Sequence, residues 1–581
     1  MNIFTSLIYV KLFLLLHGQE MDHVTIPKCP VIVIGAGMAG IKAARVLQNS
    51  NLHDVTILEG RPDRYGGRIW TNYEAMNGST GVEADMGASW ICDDDIKNTG
   101  MRITLANRIP TVFSDILHPR VYHGNNSHIH DDEWTKIFKI YRQIIFDIFP
   151  VYLKNLNLYG LSRDLKLSKQ NSSEITNGDI SLKDSIRLLG FSELFNYSAF
   201  AFLNSHLIEA DIGTEFDLTS AKMFNEITAK NTRIIPQGYA TILKPLVNGS
   251  NEQEQPLKIL LDKEVISIMF DKDPINETGG CLEVKTKKGE IFKARAVILA
   301  VPLGVLKANT IRFDENLLSK NVRTSINKLG FGVMNKIHLK FDEIFWPRSY
   351  HAFGLLPSKD ICKDIDFKVR EKFVVSNRSH RVSMICREKN IQGEVKLIND
   401  SNVIIEELLN KQDMHISDAN YCDELDASLY HSWINGYLYT GQKVLIGYAM
   451  GKAAKFTEKL SDTTVKNIAF GKLRAMFGNK LNNVKIVNMI RSKWHNDKFA
   501  RGTWTYPSIG STPNDWESFS QLKGPLFIAG EHAHFENTGT VSGAYYSGVN
   551  AARAVLNYLY KHYPRECTLE NIDLANLNDI N

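Results

Sequence analysis

Three glycines, one carboxylate and one lysine are the residues whose types and spacing could do chemistry. Gly35, Gly37 and Gly40 stand in G-x-G-x-x-G spacing directly after the apolar run Val31–Ile34, with Ala36, Met38 and Ala39 filling the turn between them. Four β-branched residues in a row are too apolar for an exposed strand and read as a buried strand of a parallel sheet. The next stretch, Ile41–Gln48, is helical in pattern. In such a unit the first glycine permits the tight turn, the second lets a pyrophosphate approach the backbone, and the third lets helix and strand pack closely. The helix N-terminus then turns unpaired N–H groups and the positive end of its dipole to phosphate. A second strand, Val55–Leu58, ends on Glu59, placed to accept from a ribose 2′-hydroxyl and to repel a 2′-phosphate. A glycine-rich turn without a nucleotide is the alternative, and it leaves the order strand, turn, helix, strand, acid unexplained. The motif does not separate NAD from FAD. Lys336 lies among alternating apolar residues, and by pattern alone belongs on the solvated face of a strand.

Later residues narrow the choice. Gly60 and Arg61 follow Glu59, then Gly66-Gly67-Arg68, then Asp85-Met86-Gly87-Ala88-Ser89-Trp90. Near the far end stand Phe527–His532, containing Gly530 and Glu531, and Gly539–Ala544, which begins Gly539-Thr540-Val541. Together they resemble the flavin-dependent amine oxidases, the family of polyamine oxidases, monoamine oxidases and flavin histone demethylases. The resemblance runs from about Pro30 to about Leu556, and the H-L-x-F-x-x-x-F-W pattern from His338 to Trp346 looks most like polyamine oxidases.

The resemblance implies FAD and oxidation of the C–H next to an amine nitrogen by hydride transfer. Imine hydrolysis would give aldehyde plus amine, and O2 would be reduced to H2O2. Lys336 matches the lysine that holds a water against the flavin. Gly60, Arg61, Gly67, Gly87, Ala88, Ser89 and Trp90 fall on cofactor-contacting loops, and Arg68 is expected to neutralise pyrophosphate. Val265 matches a strand whose backbone approaches adenine. Trp494 and Phe499 match a W-x-x-D-x-F segment lining the flavin pocket; ordinary core aromatics are the plainer reading. Gly530 and Glu531 are expected at the ribityl or phosphate part. Gly539, Thr540 and Val541 open the last helix, whose N-terminus would face the flavin pyrimidine.

Departures from the family bear on substrate. The stretch Gly502–Tyr506 has no cysteine where monoamine oxidases tether FAD, so FAD is expected to be non-covalent. Several members carry an aromatic residue at the place of Thr540. Cys92 stands where plant-type polyamine oxidases have glutamate and animal ones histidine. Polyamine oxidation predicts carboxylates for the remote ammonium groups, because an unpaired buried cation is costly. Asp93, in Asp93-Asp94-Asp95, and Glu209 are the candidates, with Cys92, Phe499 and Tyr545 nearby; a solvated loop and a helix-end glutamate are the plainer readings. The rivals are an L-amino-acid oxidase, for which no carboxylate-clamping arginine stands out, and a non-catalytic secreted flavin-binding protein.

The elements that must position these residues imply an α/β fold. The expectation is a discontinuous Rossmann-like FAD-binding domain with an interleaved α+β substrate-binding domain. FAD segments are expected at 28–100, 234–325 and 484–562, substrate segments at 101–233 and 326–483, and a tail at 563–581. Ile259–Leu261, Val265–Phe270, Leu282–Thr286 and Ile291–Lys293 read as strands of one small sheet. Asp131–Leu156 reads as a helix with a packed apolar stripe.

At 581 residues, 44% hydrophobic and 23% charged, the chain has room for two cores. A net charge of +4 without a basic block argues against nucleic acid. The seven cysteines show no C-x-x-C spacing, and no metal site is expected. The apolar stretch Asn2–Leu16 is too short to span a bilayer comfortably. It reads as a signal peptide within 1–18, which makes the protein secreted with no stable membrane span after its removal; an uncleaved anchor or a cytoplasmic protein are the alternatives. The expected partners are a small-molecule amine and O2.

Overall fold

The computed structural model describes residues 30–564 apart from 53, 74–83, 93–97, 125, 149–178, 189, 225–230, 252–253, 272–281, 358–425 and 523. The expected leader 1–18, Asp93 and most of the tail lie outside the described residues.

Val31–Ile34 is fully buried and forms the centre of a five-stranded sheet. Val55–Leu58 and Ala296–Leu299 flank it, and Lys258–Leu260 and Leu526–Ile528 are the outer strands. All four pairings are parallel. A parallel sheet must be covered on both faces, and the two-residue alternation of the central strand shows how. Val31 and Val33 face helices Met38–Asn49 and Val541–His562. Ile32 and Ile34 face the opposite way, onto Ile268, Val284, Leu303 and Trp516. Gly40 lets the first helix sit against the turn: a Cβ there would meet the Gly35 carbonyl oxygen at 2.0 Å.

The small sheet holds Ile291–Ala294, Leu282–Thr286, Val265–Phe270 and Arg312–Phe313. The strand expected at 259–261 is not part of it. Lys258–Leu260 pairs with Thr56–Leu58 and extends the parallel sheet.

A seven-stranded sheet forms the other large layer. Its order is Ile486–Arg491, Met334–Phe341, Val444–Met450, Leu429–Asn435, Ala352–Leu355, Arg120–Gly124 and Ser127–His128. Ile486–Arg491, assigned by sequence to a returning FAD segment, hydrogen-bonds instead to Met334–Phe341. Helix Asp131–Arg142 passes into a π-helical stretch, Gln143–Ile148. Helix Tyr197–Leu203 does the same through Asn204–Glu209, then closes with Ala210–Ile212 on Gly213, whose φ is 69°. No helix among the described residues is long and apolar enough to cross a membrane.

Candidate active site

A cavity of about 590 Å³ opens at the C-terminal ends of the parallel strands, past Ile34, Leu58, Ala300 and Gly530, and reaches Met334 and Lys336 of the seven-stranded sheet. Crevices at these strand ends are where open parallel sheets bind ligands. Its lining divides into two halves joined at Lys336.

The first half is built on the glycine turn. Gly35 has φ +103°, and a Cβ there would meet the Ala300 carbonyl oxygen at 2.7 Å. Gly37 differs: its Cβ would meet nothing within 4 Å, so its backbone lies open to a ligand. Met38 and Ala39 line the cavity beside it. Ala36 does not; its N–H donates to Glu59 Oε2 at 2.8 Å, and Arg61 N–H donates to Glu59 Oε1 at 3.0 Å. Each carboxylate oxygen is thereby fixed with acceptor capacity left for hydroxyls.

Phe499 was expected beside the substrate. It lies in this half instead, against Gly60, where a Cβ would meet its ring at 2.4 Å, and under the Arg61 guanidinium at 5.4 Å. Asp497 sets that position by pairing with Arg61 at 2.7 Å and accepting Phe499 N–H at 2.9 Å. Lys498 pairs with Glu264 at 2.6 Å next to Val265, and Lys263 pairs with Glu290.

Gly67, Arg68 and Glu531 continue the lining. Arg68 donates to Glu531 at 2.8 Å and to the Thr503 carbonyl at 2.5 Å. Glu531 also accepts from Thr505 Oγ1 at 3.1 Å, Thr505 N at 3.3 Å and Gly539 N at 2.9 Å. Burial pushes its pKa up, but Arg68 and these donors outweigh it and hold the carboxyl below the usual range. Glu531 therefore braces three cavity segments against one another.

This half fits a dinucleotide diphosphate. The Nε atoms of Arg61 and Arg501, both on cavity-lining residues, are buried without a hydrogen-bond partner among the described residues. With the open backbone at Gly37 and the helix N-terminus behind it, they supply donors that a diphosphate would satisfy.

Lys336 sits where the halves meet. The strand that carries it is buried along almost its whole length, so the solvated-face reading of its alternation fails. Its Nζ donates to the carbonyls of Gly87 at 2.5 Å and Asp85 at 3.2 Å and to Ser89 Oγ, and lies 4.8 Å from the Trp90 ring centre. Burial lowers its pKa to about 8, with Asp85 opposing. Asp85 is itself raised to about 6 by burial, against the Thr71 hydrogen bond and Lys336. Ala88 and Trp494 complete the junction; Trp494 is held by Nε1–H to the Met86 carbonyl at 2.9 Å.

The second half holds Trp90, Cys92, Asp211, Trp504, Glu536, Gly539, Thr540 and Val541. Thr540 caps the last helix by accepting Gly543 N–H at 2.9 Å. Trp504 is the wall that sequence reading missed. Its Nε1–H donates to the Asp211 carbonyl at 2.7 Å, and its ring packs on Gly539. Asp211 faces the cavity in place of Glu209. Surrounding protein raises the Asp211 carboxyl to about 6 by desolvation, although the residue is exposed.

Glu209 does not line the cavity. It is 7% exposed, bonded to Ser428 Oγ, and burial raises its pKa to about 8. Tyr545 is also outside the lining, 6% exposed with Lys42 Nζ 4.5 Å from its ring centre. Neither Asp211 nor Glu536 has an ion-pair partner among the described residues, whereas Glu264 and Glu531 do. No group of three metal-ligating side chains occurs among the described residues.

Comparison with known proteins identifies the family. A family model described as flavin containing amine oxidoreductase matches residues 38–377 and 416–556. Polyamine oxidase 5 of Oryza sativa subsp. japonica is 26% identical over 91% of this chain and 88% of its own length. Polyamine oxidase 2 of Arabidopsis thaliana is 26% identical over 90% and 87%. Lysine-specific histone demethylase 1 homolog 3 of Arabidopsis thaliana is 24% identical over 94% of this chain but only 31% of its own length. With a dinucleotide half, an amine-facing half and a family match over most of its length, the chain belongs to the flavin-containing amine oxidoreductases and is an FAD-dependent amine oxidase.

Proposed function

We propose that the protein oxidises polyamines such as spermine, spermidine or their acetylated forms. The observation that carries this reading is Asp211, a cavity-lining carboxylate with no ion-pair partner among the described residues, whose backbone carbonyl is held by Trp504 Nε1–H. FAD bound in the first half supplies a hydride acceptor for the C–H beside an amine nitrogen, and O2 takes the electrons to give H2O2. The reacting nitrogen must be neutral, so a polyamine needs its other charges neutralised by the protein. Asp211 does this for one ammonium, and Trp504 offers a π face to the same cation and excludes water. The names of the rice and Arabidopsis relatives support the same substrate class.

Lys336 keeps a positive charge at the junction. Lysine has three N–H donors, and protein oxygens take all of them here, so a water near the reacting carbon would be held through Ser89 Oγ. The FAD is read as non-covalent because Gly502–Tyr506 has no cysteine. The parallel sheet with its glycine turn is read as a Rossmann-like unit, and the seven-stranded sheet as the substrate layer. Secretion rests on Asn2–Leu16, and the N-terminal sequence of the native protein tests it.

An L-amino-acid oxidase would need a free arginine beside the reacting carbon. Two of the three arginines that line the cavity among the described residues are committed to carboxylates: Arg61 pairs with Asp497 and Arg68 with Glu531. A peroxide assay across polyamines, monoamines and L-amino acids tests the proposal. Turnover concentrated on di- to tetra-amines is expected; turnover of amino acids alone, or of nothing, would refute it.

A further inference from the structure

Behind Lys336 lies a buried polar network that no step described so far uses. Asn335 precedes Lys336 on the same strand, so the two side chains leave opposite faces of the sheet. Lys336 enters the cavity. Asn335 is buried against helix Gly451–Glu458, where its Nδ2 donates to Glu458 Oε1 at 2.7 Å and to the Ala454 carbonyl at 3.3 Å. Its Oδ1 accepts from Ser492 Oγ at 3.2 Å and from Trp494 N–H at 3.0 Å. The amide thus uses both its donors and both its lone pairs. Ser492 holds Lys336 by its backbone: Ser492 Oγ accepts Lys336 N–H at 2.9 Å, and Ser492 N–H donates to the Lys336 carbonyl at 3.0 Å. Glu458 also accepts His495 N–H at 2.9 Å and Asn496 N–H at 2.7 Å, just beyond Trp494.

On the cavity side the same two residues grip one loop. Trp494 Nε1–H donates to the Met86 carbonyl and Lys336 Nζ to the Gly87 carbonyl. Their backbones are therefore tied together behind the sheet and their side chains in front of it. Asn335 is where the rear ties meet.

We propose that Asn335 is a positioning residue that, oriented by Glu458, sets where Lys336 and Trp494 stand in the cavity. Neither Asn335 nor Glu458 lines the cavity, so both act through those two residues. The proposal rests on a role for Lys336 in turnover and is independent of which amine is the substrate. It demands an amide at 335, since the position must donate to one side and accept from the other. A carboxylate there would face Glu458 where the amide now donates, and two carboxylates that close share a proton. The charged groups around Glu458 are His495, whose pKa burial lowers, with Lys455 and Lys459, and Arg491, which donates to the Thr457 and Leu460 carbonyls.

The test compares wild type, Asn335→Ala, Asn335→Asp, Ser492→Ala and Lys336→Met as FAD-loaded enzymes on one amine that the wild type oxidises. Asn335→Ala should keep its FAD and its KM and lose about 30-fold in kcat, as for a displaced catalytic group. Asn335→Asp should show a similar loss at about pH 9 and regain most of it towards about pH 6, where a shared proton replaces the amide donor. This is read as the ratio to wild type at each pH, which cancels titrations common to both enzymes. Ser492→Ala, which removes one hydroxyl, should lose about threefold in kcat. A normal kcat in Asn335→Ala, a loss carried by KM alone, or an Asn335→Asp ratio that does not change with pH would overturn the role of Asn335. If the Asn335 variants do not fold, a wild-type kcat in Ser492→Ala overturns it. Normal turnover in Lys336→Met would overturn the role of Lys336 and this proposal with it, whereas an impaired Lys336→Met beside a normal Asn335→Ala would overturn the positioning role alone.

Discussion

The two halves of the cavity handle charge in opposite ways. In the dinucleotide half Arg61, Lys263, Lys498 and Arg68 each have a carboxylate of the protein. In the amine half Asp211 and Glu536 have no such cation among the described residues. The first half matches four of its cations within the protein before the cofactor arrives, and Gly37 and the buried Nε atoms of Arg61 and Arg501 remain for the ligand. The second leaves its charge open, so its ligand must bring the counter-charge. A resident group and a passing substrate call for these two solutions: one favours rigidity, the other a site that is complete only when filled.

The largest effects should come from the glycine turn, where two neighbouring glycines separate fold from ligand. Gly40→Ala drives a methyl into the Gly35 carbonyl at 2.0 Å and should cost about 1–3 kcal/mol of stability, read as a lowered Tm. Gly37→Ala meets nothing within 4 Å at an ordinary φ of −81° and should leave the Tm of the FAD-free protein unchanged. It should nevertheless purify largely without flavin; a normal flavin content would detach the turn from the cofactor.

Next is Lys336→Met, at the junction. It should keep FAD yet lower turnover about 100-fold, as for loss of one preorganised donor. Stopped-flow traces equal to wild type in both the reductive and the oxidative half-reaction would remove Lys336 from the mechanism.

Asp211→Asn follows. It should lower kcat/KM for spermine about 30-fold, the order of one partly desolvated ion pair, with less effect on a monoamine. The sign with pH is fixed by burial. Asp211, raised to about 6, is neutral below that pH and binds cations above it, so activity should rise through pH 6 in wild type and lose that limb in the variant. A limb at pH 6 that survives in Asp211→Asn would assign it elsewhere.

The smallest effect on activity belongs to Glu209→Gln, which should stay within about twofold because the residue lies outside the cavity. Its signature is stability. Glu209 stays protonated in the fold up to about pH 8, while the unfolded chain loses that proton near 4.5. Its contribution therefore falls as pH rises from about 4.5 to about 8, and the variant should show a flatter Tm across that window. A polyamine-specific loss in Glu209→Gln would restore the residue to the substrate site.

The contrast between Glu209 and Asp211 also marks what the sequence allowed. The glycine turn, Glu59, the Gly530-Glu531 turn and the Thr540 cap were legible because each is local: a few residues of the right type in consecutive order. The cavity-facing acid was not. Asn204–Glu209 is π-helical, and each extra residue in a turn rotates everything beyond it by about 100° relative to an α-helix. A face counted at 3.6 residues per turn then lands on the wrong side chain. Phe499 was misplaced for a related reason. Its motif identified the segment, but the Arg61–Asp497 pair that pins it beside Gly60 joins residues far apart in the chain. Lys336 needed its neighbours too, since alternation cannot distinguish a strand wet on one face from one buried on both.

The strand order of the parallel sheet also bears on how the enzyme comes into being. Val31–Ile34 pairs with Ala296–Leu299, which pairs in turn with Leu526–Ile528, and Gly548 of the last helix packs on Ala39 of the first. The opening strand pairs with the nearby Val55–Leu58 on one side but waits for its other neighbour, hundreds of residues on, and for the helix that covers it. Pairings of such sequence separation are slow to form, and apolar strands left uncovered meanwhile are open to aggregation. Growing chains should therefore need holding until Val541–His562 is made. Flavin capture must await that helix, and a nonsense mutation even shortly before Leu526 should yield an insoluble, colourless product rather than a weakened enzyme.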